Sequence, residues 1–315
     1  MTETESLIDE FRDSAEKLQE AFPEKLDRLV VLVDTSTTPV YLSPDIAAPL
    51  SRDTHAIQKA LDEAFNAPNI GGAADHAYPM GNYIVKAIAI KENVPGNYSP
   101  QYTQKMDRIY FFDHEMAHLI GKNAMSGHYG ECFADAYAML RHIQRFGRET
   151  GVFEYNNTAE FVVLGNTPIH YTDTIMQRVK QLSAETKGIA GKDIANLSLQ
   201  KTADLAEEIA FQYQVKEKIL EKISEAFSPV KEASRDRKSL TDICTLVLSI
   251  MKEHNNDPDI FNAGKQFLNS PSIKGYVMLL AKEDSGWNAA LNLIAQPVLV
   301  RENSKDRKPS GISPV

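Results

Sequence analysis

Apolar residues recur along the chain in two periods, and the changes from one to the other divide it into elements. Residues 6–22 put Ile8, Phe11, Ala15, Leu18 and Phe22 on one helical stripe, and Pro23 ends it. Leu29–Val33 is a continuous aliphatic run with β-branched residues, which predicts a buried strand; 39–42 reads as a second, short one. A helix over 53–66 follows, capped by Ser51 or Asp53, and its His55 reads as a packed or solvated residue. Residues 69–81 read as a glycine-rich loop carrying Asp75 and His76. Tyr83–Ile90 (YIVKAIAI) is the strongest strand pattern in the chain, and its backbone groups could pair with an extended peptide.

After a turn at 94–99, Ser99-Pro100 reads as a helix N-cap followed by proline. Ile109–Ile120 is apolar on nearly every side, the pattern of a buried helix, with Gly121 as its stop. The chain then turns through 122–130. A second helix is expected from Glu131 to Phe146, with Phe133, Ala136, Leu140 and Ile143 at helical spacing and Gly147 at its end. Residues 160–164 (EFVVL) read as a strand, and a helix is expected at 173–186. From 188 to 227 the pattern is helical, with Ile219, Leu220, Ile223 and Phe227 on one face. Further helices are expected over 240–254, 260–268 and 287–295. Residues 301–315 have almost no apolar side chains and predict a disordered tail. No internal repeat is visible. The expectation is an α+β fold, predominantly helical: a mixed region over 1–186 with a small sheet, then a mainly helical region over 187–300.

Composition narrows the class without naming a function. The chain of 315 residues is 43% hydrophobic and 24% charged, as expected for a globular protein with a real core. Its formal net charge of −9 disfavours nucleic acid or an anionic membrane as an obligate partner. Two cysteines do not make a disulfide framework, and the N-terminus MTETESLIDE has no basic region followed by an apolar run. No apolar run is long enough to span a membrane. A cytoplasmic setting is the expectation, with export by a route without a cleaved signal left open.

The chemistry is concentrated in the buried helix and its successor. The only polar residues of 109–120 are Asp113, His114, Glu115 and His118, and burying ionisable groups on one turn is costly unless something binds them. His114-Glu115-Met116-Ala117-His118 is an H-E-x-x-H match. Residues four apart share a helix face, so both histidines can offer a ring nitrogen to one zinc ion. Glu115, one position round, suits the general base for the water that the metal activates. In a helix hairpin Glu131 falls level with His118 and can supply a third ligand. Asp135 falls level with His114 and can accept that histidine's other N–H. His128, in a loop flanked by glycines, is the alternative third ligand.

H-E-x-x-H followed by E-x-x-x-D resembles the gluzincin zinc metallopeptidases over roughly residues 107–145. The resemblance implies one zinc ion held by His114, His118 and Glu131, Asp135 supporting a ligand histidine, and a peptide or protein substrate. It also implies a histidine or tyrosine from a later segment that donates to the anionic intermediate. Chain order and residue type point to His170 or Tyr171, with Asp173 able to orient an imidazole and Tyr129 next in line. No subfamily follows. The metzincin pattern fails because Ala124 stands where its third histidine belongs, and the G-x-M-E-N signature of gluzincin aminopeptidases is absent. A di-iron site would need a second E-x-x-H, and the chain has none. Two other functions stay open: a zinc-bound interaction domain without catalysis, and a zinc hydrolase of a non-peptide amide or ester.

Overall fold

The computed structural model describes residues 3–33, 39–44, 73–80, 83–91, 98–121, 127–148, 150–155, 158–165, 167–184 and 194–295. The helix expected over 53–66, most of the 94–99 turn and the tail at 301–315 lie outside these residues. The chain is predominantly helical with one small sheet, and it divides into two compact units. The first comprises Met1–Thr158 with Thr167–Leu220, the second Ala159–Asn166 with Glu221–Val315.

The first unit is built on the apolar stripe of helix α1 (Glu3–Ala21), whose Phe11, Ala15 and Leu18 are at most 1% exposed. Full burial of a side chain such as Phe11 or Leu18 is worth about 1.5–3 kcal/mol. The stripe packs on strand β1 (Leu29–Val33), which is buried along its whole length. β1 pairs antiparallel with β2 (Tyr41–Leu42) and parallel with β4 (Tyr83–Ile90). β3 (Ala73–Met80) pairs antiparallel with β4, so the order is β2-β1-β4-β3.

Two expectations are corrected here. The stretch read as a glycine-rich loop contains β3, with Asp75 opposite Ile88 and His76 opposite Ala87. Its sequence AADHAYPM lacks β-branched residues; what makes it a strand is backbone pairing with β4, and at a sheet edge Pro79 is tolerated. β4, in turn, is an interior strand. Its backbone groups are taken by β1 and β3, so among the described residues the edge strands are β2 and β3 and not β4.

Helix α2 (Gln104–Ile120) lies against β3 and β4. Its cap is Thr103, whose hydroxyl accepts from the Met106 N–H; Ser99 instead closes a small bridge with Tyr102. The C-terminal carbonyls of Ile120 and Gly121 accept from Lys25 Nζ at 2.8 and 2.6 Å, a favourable place for a cation. Helix α3 (His128–Phe146) begins three residues earlier than its apolar pattern suggested, so Glu131 sits within its first turns. It ends at Gly147, whose φ of 81° is the left-handed conformation that favours glycine. Arg145 of α3 reaches the fully buried Asp113 of α2 at 3.2 Å and ties the two helices together.

The helices that follow do not divide at residue 186. A short helix α4 (Val152–Tyr155) precedes α5 (Ala159–Val163), which occupies the stretch read as a strand. Ala159, Val162 and Val163 are buried there while Phe161 is 45% exposed, a helical period that the four-residue apolar run at 161–164 conceals. Helix α6 (Asp173–Ala184) and helix α7 (Leu199–Tyr213) both pack on α3. Gln144 of α3 donates to the Ile194 carbonyl and the Thr202 hydroxyl at 2.9 Å each, which fixes α7 in the first unit.

Helix α8 (Glu217–Ala226) carries the chain from the first unit into the second. The second unit contains α9 (Ser228–Arg235), α10 (Leu240–Glu253), α11 (Pro258–Asn269), α12 (Pro271–Glu283) and α13 (Asn288–Ala295), and α5 packs on α11. Gly264 lets α10 and α11 approach closely, since a Cβ there would lie 2.6 Å from Met251 Cγ. No helix among the described residues is long and apolar enough to cross a membrane.

Candidate metal centre

α2 and α3 face each other with their titratable residues inward. One helical turn separates His114 from His118, and their Nε2 atoms lie 3.2 Å apart with the rings nearly perpendicular. Glu131 comes from α3, with Oε2 at 3.4 Å from His114 Nε2 and Oε1 at 3.8 Å from His118 Nε2. These three residues form a group that could hold a metal ion. Ligand atoms about 2.0–2.1 Å from a tetrahedral zinc ion stand about 3.3–3.4 Å from one another, and the two imidazole nitrogens and the carboxylate, at 3.2–3.8 Å, are close to that spacing.

Asp135, one turn beyond Glu131, fixes the orientation of the first imidazole. His114 Nδ1 donates to Asp135 Oδ1 at 2.8 Å, which leaves the Nε2 lone pair for a metal. Two further donors hold the same carboxylate. The Tyr110 hydroxyl donates to Oδ1 at 2.8 Å, and the Thr172 hydroxyl makes a short bond to Oδ2. Neither was expected from the sequence. Tyr110 precedes His114 by one helical turn, a spacing that could have revealed it. Thr172 lies 37 residues from Asp135, and no local pattern connects them.

The electrostatics follow from packing opposite charges into little water. Burial tends to lower the pKa of His114, but Asp135 and Glu131 overcome it and raise the group well above its ordinary value. Burial likewise opposes ionisation of Glu131, yet His114 and His170 hold its carboxyl well below the usual range. Glu115 is buried at 9% exposed, and its charge acts on His114.

The later candidates separate. His170 is brought to the site, with Nδ1 2.9 Å from Glu131 Oε2, and that bond raises its pKa against the opposing effect of burial. Tyr171 is 3% exposed. Asp173 is no partner for an imidazole: its Oδ1 accepts from the Thr158 hydroxyl at 3.0 Å and the Thr158 N–H at 3.3 Å. Its Oδ2 is buried without a hydrogen bond, and burial pushes the group up to about 6.

His128, the alternative third ligand, is a helix residue and not a loop residue. It opens α3 and donates from Nδ1 to the Ile169 carbonyl at 2.7 Å, outside the metal group. Tyr129 is partly buried against the core. His55 and the side chains of Asp75 and His76 lie outside what is described. A cavity of about 250 Å³ opens near the C-terminal end of α2, lined by Phe22, Ile120, Phe133 and Ala203 among others, and it includes none of the metal group. No protein-family model, curated protein or solved structure matches the chain.

Proposed function

We propose that the protein is a zinc-dependent hydrolase of peptide bonds with a zincin-like catalytic region. The observation that carries this reading is the convergence of two imidazole nitrogens and one carboxylate at 3.2–3.8 Å from one another, on the helix that also bears Glu115. Two nitrogens and an oxygen suit zinc, and three protein ligands leave a position open for reaction, as in catalytic rather than structural zinc sites. When bound, zinc supplies Lewis acidity towards a carbonyl oxygen and towards water.

The chain's own residues then have separable tasks. His114 and His118 would hold the ion from α2, and Glu131 would hold it from α3. Asp135 keeps the Nδ1 proton on His114. Glu115 takes a proton from the attacking water and later passes it to the leaving amine. His170 is the donor to the oxyanion that develops on the substrate, since its bond of 2.9 Å to Glu131 holds the imidazole beside the proposed ion. Tyr171 is the less suited of the two candidates because of its burial. An extended peptide would add to the edge of β3, which has a single strand partner among the described residues and lies against α2.

The test is digestion of a peptide library by zinc-loaded protein, with and without a chelator, read by mass spectrometry. Cleavage that the chelator abolishes and added zinc restores is the expected result. A zinc-loaded protein that cleaves no peptide, but does hydrolyse a panel of small amides or esters, would move the substrate class away from peptides.

A further inference from the structure

The turn that carries His170 touches α3 at three successive places. His128 donates to the carbonyl of Ile169, His170 donates to Glu131, and Thr172 donates to Asp135. His128, Glu131 and Asp135 stand at i, i+3 and i+7 of one helix and so share a face. Residues 169–172 therefore run along that face as a strap, its contacts in the same order as the helix residues they meet. The strap's far end is anchored separately. The Thr172 N–H donates to the Thr158 hydroxyl at 2.9 Å, and that hydroxyl donates to Asp173 at 3.0 Å.

We infer that this strap is a positioning device for the metal group, and that Thr172 is its working residue, acting on His114 through Asp135. The inference rests on the zinc site proposed above. The reason is in the valences of one buried carboxylate. Asp135 is 5% exposed, and its neighbours supply three donors: the His114 N–H and Tyr110 O–H on Oδ1, and the Thr172 O–H on Oδ2. Among the described residues Thr172 alone engages Oδ2, so it sets how the carboxylate plane is turned. That plane directs Oδ1 at His114 Nδ1, which in turn aims Nε2 at the ion. Thr172 touches neither metal nor substrate. Threonine suits the place because its β-branch restricts the side-chain rotamer and its hydroxyl has a single proton to give.

Zinc affinity in the full-length protein tests this, measured by competition with a chromophoric chelator, together with the visible spectrum of the cobalt-substituted form. Thr172→Val keeps the shape and the backbone N–H but removes the hydroxyl; it is expected to weaken zinc binding by about tenfold or more and to alter the cobalt spectrum. Thr172→Ser, which restores the hydroxyl, is expected to return the affinity to within about twofold of the parent. If Thr172→Val does not fold, Thr172→Ala gives the same readout without apolar bulk beside the carboxylate. A hydroxyl-free variant with a lower melting temperature but the parent's zinc affinity and cobalt spectrum overturns the inference, since a merely structural bond would behave so. Absence of zinc binding by the unsubstituted protein is a different result: it removes the metal site itself, and the positioning role with it.

Discussion

His114 Nδ1 and Asp135 Oδ1, from two different helices, meet at 2.8 Å in a partly buried hydrogen bond that decides which nitrogen of the imidazole carries the proton. The same oxygen receives the Tyr110 hydroxyl at 2.8 Å, so the carboxylate cannot be removed without leaving several buried donors unpaired.

For that reason Asp135→Asn is a cleaner probe than truncation. The amide keeps the shape but competes as a donor towards the imidazole. Zinc affinity is expected to fall by about 10–100-fold while the metal-free protein keeps its helical circular dichroism. A competition titration that returns the parent's affinity would separate Asp135 from the metal.

Glu115→Gln addresses the chemical step. Glutamine fits the same space on α2 and cannot take a proton, so turnover is expected to fall by at least about 10²-fold. Zinc content, measured by atomic absorption, should stay at one ion per chain. Peptide cleavage at the parent's rate by the zinc-loaded variant would make the assignment of the base wrong.

His142 of α3 gives a pH dependence away from the metal. Burial first, and Arg145 second, lower its pKa to about 4, and its Nε2 shares a hydrogen bond of 2.8 Å with the Thr150 hydroxyl. The unfolded chain titrates this group near the ordinary 6.5, so between about pH 6.5 and pH 4 the unfolded state binds more protons than the folded one. Stability is then fully present above 6.5 and is lost on acidification, by at most about 1.4 kcal/mol per pH unit. Denaturant midpoints measured from pH 7.5 to 4.5 should converge between the parent and His142→Gln. Parallel curves would exclude this histidine as the source.

Asp173 has the opposite sign. Burial holds its pKa at about 6 against an ordinary 3.8, so between these values the folded state keeps a proton that the unfolded state has released. Its contribution is fully present below 3.8 and is lost as pH rises through about 6. Relative to Asp173→Asn, the parent should lose stability over that interval, by an amount on the order of 1–3 kcal/mol. Chemical unfolding of both proteins at pH 4 and pH 8 reads the difference, and a gap of the same size at both pH values would contradict the burial argument.

What the sequence determined is local and periodic. The stripe of α1, the aliphatic run of β1 and the buried helix α2 are legible because burial imposes a repeat of 3.6 or an unbroken apolar run on consecutive residues. The same period puts His114 over His118, and the spacing of Glu131 and Asp135 puts both on one face of α3, so the composition of the metal group could be read before its geometry was known.

Tertiary structure decided what depends on residues far apart in the chain. β3 is a strand because β4 pairs with it, and its own side chains carry no strand pattern. The EFVVL stretch is helical because Ala159, Val162 and Val163 are buried while Phe161 is not, a choice that four apolar residues in a row leave open. α7 belongs to the first unit because Gln144 and the core of α3 hold it, although nothing within 187–213 says so. Thr172 meets Asp135 across 37 residues because a turn docks on a helix face, and His128 is spent on the Ile169 carbonyl for the same reason. A backbone period reports which face of an element is apolar; which element covers that face is settled only by packing energies summed over the whole fold, and no local repeat encodes them.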